Sequence, residues 1–263
     1  MKYIENYTVT SHEVDTNNQI RPHMVLRFMQ ETADHQMRDR RPTFQELFFE
    51  KGKTFILTRF SVEITGHIGM YDNISVRTWQ SDRNGKGLSF IRCYEIINRG
   101  EIVARGHALW AMVEIATKRI CKVMEEDFSG YEAEAPLNLN IPVRFRLPRT
   151  LNFSEVEGKT VHYSDCDMNM HLNNTNYGRM VCDRLPEAEN KQITSINLHF
   201  RTEAPLGEEV RIELAEMGVG EEDKQWFKEY GDKEADKLYF FKSYVSKGIN
   251  MEAVVGTRER KKV

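Results

Sequence analysis

Two stretches far apart in the chain repeat one order of polar and apolar residues, and that repeat limits the fold more than any other feature. "DTNNQIRPH" begins at Asp15 and "DMNMHLNNT" at Asp167. In register they pair Asp15 with Asp167, Asn17 with Asn169, Gln19 with His171 and Ile20 with Leu172. A helix-like segment follows each. Further on, "FSVE" (Phe60 to Glu63) parallels "FRTE" (Phe200 to Glu203), and the next strands open at "DNISV" and "EEVRI". Matches in this order argue for an internal duplication of one helix-plus-sheet unit.

The elements between the matches fit that reading. "RPHMVLRFMQETADHQMRD" (21–39) has Pro22 in its first turn and Val25, Met29, Ala33 and Met37 on one stripe, which predicts a helix. "KTFILTRFSVEIT", "DNISVRTWQSD", "GKGLSFIRCYEII" and "EIVARGHALWAMVEI" are β-branched and aromatic, with turns expected at Asn84-Gly85 and at 98–100. The short connections favour antiparallel pairing. Residues 126–149 are acidic, carry Pro136, Pro142 and Pro148, and have no period, so they read as a linker. A second helix is expected near 175–185, ended by Pro186, followed by four more strands and an exposed loop over 218–236. The expected class is therefore α+β: a first unit over 1–125 and a second over 150–263, each a long helix against an antiparallel sheet.

Several function classes drop out early. Lys and Arg number 37 against 40 Asp and Glu, a net charge of −3, which lacks the basic excess of a nucleic-acid protein. No apolar run approaches the ~18 residues of a membrane span. "MKYIENYTVTSHEVD" has no apolar core of a signal peptide, so a cytoplasmic location is expected. Cys93, Cys121, Cys166 and Cys182 have no paired spacing and read as reduced thiols, not as a disulfide framework or a zinc site. No metal or other cofactor is expected.

The chemistry concentrates in "SDCDMNMHLNNTNYG", residues 164–178. If this segment is extended, Asp167, Asn169 and His171 share one face, and Met168 and Met170 point the other way into apolar packing. Asn173, Asn174 and Thr175 can cap the helix that starts there, whose free N–H groups suit a developing oxyanion. A carboxylate, an amide, an imidazole and an oxyanion site in so few residues suit acyl hydrolysis. Asp and Asn before a helix are also ordinary turn and cap residues, and a lone His is commonly structural. No G-x-S-x-G elbow supports a serine triad.

"SDCDMNMHLNNTNY" closely resembles the Asp-x-Asn-x-His-x-Asn-Asn motif of acyl-acyl carrier protein thioesterases, the fatty-acid-releasing enzymes of plant plastids and their bacterial relatives. The resemblance runs through "LRFMQETADHQ", "LTRFSVEITGHIGMYDNISVRTWQSDRNGKGLSFIRCYEI", "ARGHALWAMVEIATKRICKV" and "INLHFRTEA", nearly the whole chain. It implies a tandem double hotdog fold, in agreement with the duplication. It implies catalytic roles for Asp167, Asn169, His171 and Glu203. Plant members often have Cys directly after that Glu; here Ala204 stands there, which excludes a cysteine nucleophile at that position. The missing plastid presequence fits a bacterial protein.

The resemblance further implies hydrolysis of fatty acyl-acyl carrier protein, with the first unit binding the acyl tail and the second unit catalytic. The partner would be acyl carrier protein bearing acyl-phosphopantetheine; a homodimer stays open. Basic candidates for the acidic carrier are Lys118-Arg119 with Lys122, Arg144 with Arg146 and Arg149, and Arg258 to Lys262. An acyl-CoA thioesterase, a hotdog dehydratase and a non-enzymic acyl-binding protein remain alternatives on the same fold. By strand parity Glu203 goes with Asn197, His199 and Arg201 and faces away from its own helix. The duplication gives Gln19 and Glu63 as the first-unit counterparts of His171 and Glu203, and so one active site per chain.

Overall fold

The computed structural model describes residues 1–81, 87–218, 220, 229–230 and 233–260. The expected turn at Asn84-Gly85, residues 219, 221–228 and 231–232 of the expected loop, and Lys261 and Lys262 lie outside the described residues. The chain divides into two compact units: Met1–Phe60 with Gly66–Leu139, and Ser61–Thr65 with Asn140–Val263. Each carries one principal helix and an antiparallel sheet, the hotdog arrangement.

In the first unit, β1 (Tyr3–Thr8), α1 (Pro22–Asp39), β2 (Lys53–Ile64), β3 (Asn73–Ser81), β4 (Ser89–Asn98) and β5 (Glu101–Glu114) give the sheet order β1-β3-β4-β5-β2. A two-residue strand, β6 (Ala133–Glu134), pairs in parallel with the end of β3. The turn expected at 98–100 forms with Arg99 at φ 51° and Gly100 at φ 87°, the left-handed pair that suits a tight hairpin. Pro22 opens α1, where a missing N–H costs nothing, and Val25, Met29 and Ala33 are buried while Met37 is half-buried. Gly106 on β5 lies directly under Met29: a Cβ there would sit 2.6 Å from Met29 Sδ. Any larger residue there would have to displace the Met29 thioether.

In the second unit, β7 (Ser154–Thr160), α2 (Asn174–Cys182), β8 (Lys191–Phe200), β9 (Glu209–Gly218), β10 (Lys237–Val245) and β11 (Gly248–Glu259) give the order β8-β11-β10-β9-β7. The two units differ in one respect that the duplication did not foretell. α1 has 18 residues and α2 only 9, so the second helix is short, not long. It stops at Cys182, before Pro186 removes an N–H from any further turn.

The stretch 126–149 is packed, not a bare connector. Phe128 and Tyr131 bury against Phe90 and Leu47 in the first unit, and Tyr131 donates to Pro42 O at 2.6 Å. Ile141 and Phe145 are buried in the second unit, Phe145 beside Leu238 and Phe240. Large side chains spaced without a period bury well when the backbone is irregular, which is why periodicity missed them. The same holds for Tyr230 and Ala235, which fall in the expected exposed loop yet join the Phe145 core.

On the face of β8 away from α2, against Phe145, a polar cluster forms. His199 pairs across the ladder with Glu252 on β11, and Arg201 Nε donates to Glu252 Oε2 at 2.7 Å. The His199 imidazole, whose Nδ1 lies 3.4 Å from Glu252 Oε2, works with Arg201 against the opposing push of burial to hold the Glu252 carboxyl down at about 2. A carboxyl depressed on folding adds stability that is present above its unfolded value of ~4.3 and is lost as pH falls through the folded value. Glu252→Gln should therefore lower unfolding stability by about 2 kcal/mol at neutral pH. In denaturant titrations the gap to wild type should close between about pH 4 and 2; a gap independent of pH would show that the cluster is not electrostatic.

Candidate active site

Residues 165–173 do not form the extended segment that alternation suggested. They form a closed loop. Cys166 and Leu172 bridge as strand partners, and residues 167–170 turn between them. Asp167 N donates to His171 O at 2.8 Å, and Met170 N donates to Asp167 O at 3.1 Å. The Asp167 carboxylate turns inward and accepts from Asn169 N at 2.8 Å and His171 N at 3.3 Å. Met170 takes a left-handed φ of 61°. Met168 and Met170 are exposed at 73% and 44%, not packed, because the turn swings both outward.

The first unit repeats this loop bond for bond. Asp15 N donates to Gln19 O, Asn18 N to Asp15 O, and Asp15 Oδ1 accepts from Asn17 N and Gln19 N. Asn18 takes the left-handed φ of 53°, and Val14 bridges Ile20. The anchors also match. Ile20 N donates to Ile68 O as Leu172 N donates to Ala204 O, and Val9 N to Asp72 O as Val161 N to Glu208 O. These pairs correct one expected match. The residue before Ile68 corresponds to the residue before Ala204, so Glu203 corresponds to His67 and not to Glu63. Glu63 lies within β2, where its Oε1 accepts from Asn140 N and Ile141 N.

His171 and Glu203 come together: His171 Nε2 lies 3.6 Å from Glu203 Oε2. The imidazole is partly shielded, with its side chain 31% exposed, and the carboxylate is open at 60%. Strand parity placed Glu203 on the face of His199, and the structure moves it. β8 ends at Phe200, and Arg201 N and Thr202 N both donate to Asn250 O. Two successive N–H groups on one carbonyl insert a bulge, and the side-chain alternation shifts by one residue. Glu203 then meets the loop ahead of α2.

Asn169 is exposed at the tip of the loop. Asn173 is the N-cap of α2: its Oδ1 accepts from Thr175 N at 2.9 Å and Thr175 Oγ1 at 2.8 Å. Thr175 N–H is therefore committed to the cap, and Asn176 N donates to Asn173 O. Of the three residues expected to serve an oxyanion, Asn174 is the one whose N–H has no acceptor among the described residues.

Two supports escaped the sequence reading. Asp165 is buried and binds Lys159 Nζ at 2.7 Å, Arg179 Nη2 at 3.1 Å and His162 N at 3.0 Å. Burial pushes its carboxyl up, but the bonds from Lys159 and the His162 N–H outweigh this and leave it below its ordinary value. Asn250, 1% exposed, donates to Tyr177 Oη on α2 at 2.9 Å and to Thr202 O, and so ties the helix to the Glu203 loop. Asp165 carried a faint signal, an acidic residue three after His162 as in a capping turn; Asn250 carried none. Burial pushes the thiols of Cys93 and Cys182 up, and that of Cys166 is also raised, away from thiolate character.

Comparison with known proteins accords with this geometry. Residues 1–131 match the family model of the acyl-ACP thioesterase N-terminal domain, and residues 150–238 that of the C-terminal domain. The palmitoyl-acyl carrier protein thioesterase of Arabidopsis thaliana chloroplasts is 26% identical over 217 residues, covering 76% of this chain and 51% of its own. The dodecanoyl-[acyl-carrier-protein] hydrolase of Cinnamomum camphora is 26% identical over 163 residues, 58% of this chain and 42% of its own. The chain thus spans about half the length of the curated relatives it matches. Among solved structures, an acyl-ACP thioesterase from Bacteroides thetaiotaomicron superposes with a TM-score of 0.79 at 19% identity, covering 97% of each chain. The 12:0-ACP thioesterase from Umbellularia californica gives 0.78 at 18% identity, covering 98% of this chain and 94% of that one. With both domain models matched in order along it, this chain belongs to the acyl-ACP thioesterase family.

Proposed function

We propose that this chain hydrolyses fatty acyl-acyl carrier protein to free fatty acid and holo-acyl carrier protein. The observation that carries the reading is the His171–Glu203 pair, 3.6 Å apart beside the capped start of α2. Glu203, open to solvent, is the general base that takes a proton from the attacking water. His171 orients that water or the thioester carbonyl, Asn169 adds a polar group at the loop tip, and the Asn174 N–H stabilises the oxyanion. The thiolate leaves with little acid help, since thiol pKa values lie near ~8.5. Asp167 acts through the loop: its carboxylate fixes the backbone that presents His171. The first unit holds the acyl tail.

The carrier would dock on basic surface. Lys118, Arg119 and Lys122 in the first unit and Arg144, Arg146 and Arg149 in the second are exposed and have no acidic partner among the described residues. Arg258, by contrast, is spent on Gln192 and Glu234. No helix among the described residues is long and apolar enough to cross a membrane.

Purified protein should release free acid from a chain-length series of acyl-carrier-protein thioesters, and faster than from the same chains on coenzyme A. Lack of turnover on every carrier-bound chain would refute the reading. Glu203→Gln and His171→Ala should each lower kcat by about 10²–10⁴, the usual size for a positioned acid–base group. Asp167→Asn separates the two carboxylates. Asn retains an oxygen that accepts both loop N–H groups, so this variant should stay within about tenfold of wild type. If Asp167→Asn is as inactive as Glu203→Gln, Asp167 is the base.

Apparent affinity for the carrier-bound substrate should fall as ionic strength rises, while that for an acyl-pantetheine should change little. Equal salt sensitivity would remove the case for a basic docking surface.

A further inference from the structure

The first unit contains a cavity of about 100 Å³ between the C-terminal half of α1 and the sheet. Met37, Phe55, Phe90 and Trp110 give it apolar walls, as an acyl tail requires. Two charged side chains also line it, Asp34 from α1 and Arg92 from β4, and neither is neutralised in an ordinary way. The Asp34 carboxylate has no hydrogen bond or ion pair among the described residues. Arg92 is 3% exposed; its Nη1 donates to Gln36 Oε1 and, at 3.5 Å, to Thr78 Oγ1, and its guanidinium lies over the Phe90 and Tyr131 rings, whereas its Nε and Nη2 have no hydrogen-bond acceptor among the described residues. The two charges are not within ion-pair distance of each other. Asp34 lines the cavity and is also exposed to solvent. Yet the protein packed around it pushes its carboxyl up to about 6, against the opposing pull of Arg92.

A saturated tail filling this space would strip water from a carboxylate and a guanidinium and return nothing to either. A hydroxyl does the reverse, since it donates through its hydrogen and accepts through its lone pairs. A carboxylate offers acceptors only and would face Asp34 with like charge. We propose that Asp34 and Arg92 form a specificity element that selects acyl chains bearing a hydroxyl group where the tail reaches this cavity. This rests on the reading of the first unit as the tail-binding unit, and it narrows the substrate class within it.

The test uses acyl-pantetheine amides, which cannot be hydrolysed, all of one chain length. One is saturated, one ends in a carboxyl, and the others carry a hydroxyl at successive carbons. Calorimetric titration of the whole protein should find at least one hydroxylated isomer bound tenfold or more tightly than the saturated chain, because a site built around a hydroxyl discriminates strongly against its loss. Asp34→Leu, which removes no hydrogen bond of the fold, should erase that preference and strengthen binding of the saturated chain. Arg92→Gln should also weaken it; if that variant fails to fold, Asp34→Leu decides alone. No preference for any hydroxylated isomer, no binding of any amide, a preference unchanged in Asp34→Leu, or tighter binding of the carboxyl-ended chain would each overturn the proposal. A hydroxyl preference in the amides, with no hydrolysis of any thioester, would support it while refuting the proposed activity.

Discussion

The site depends on one side-chain oxygen bonded to two backbone N–H groups. Asp167 Oδ1 accepts from the backbone N–H groups of Asn169 and His171, which have no other acceptor among the described residues. That single acceptor closes the turn, allows Met170 its left-handed conformation and sets the direction in which the His171 side chain leaves the backbone. Asp15 does the same in the first unit with Asn17 and Gln19. The duplicated motif is thus a duplicated backbone structure first. The two copies differ at the position where the imidazole of His171 stands in place of the Gln19 carboxamide.

That distinction explains what the sequence could and could not reveal. The two-unit architecture was legible because helix and strand periods are set by backbone geometry, and the Asp-x-Asn repeat marked the units. His171 and Glu203 were legible as a pair through the family motif. The orientation of Glu203 was not, because the bulge at Arg201 and Thr202 arises from two N–H groups meeting one carbonyl of Asn250, a residue 48 and 49 positions away in no recognisable motif. Asp167, Asn169 and His171 at alternate positions suit a strand and a closed turn equally well. Only the bridge between Cys166 and Leu172 decides between them.

The two units also show how one layout tolerates different cores. In the first, an 18-residue helix lays its Met29 side chain on Gly106, and its far end borders a cavity. In the second, the helix is half that length, and a separate aromatic cluster of Phe145, Tyr230 and Phe240 covers the sheet face away from it. Segments with no period, such as 126–149, supply aromatic residues to both cores.

The brevity of α2 has a consequence for how its start is held. Nine residues are too few to be a stable helix alone, since nucleation is costly and propagation over so short a length does not recover it. The helix persists through tertiary bonds: Tyr177 to Asn250, Arg179 to Asp165 and the Asn173 cap. The cap amides and the Glu203 loop are therefore one cooperative unit for local opening, with Asn250 as its shared tether. Opening of one opens the other, so the free energy of that excursion sets the fraction of molecules in which the Glu203 carboxylate and the Asn174 N–H are held in place at once.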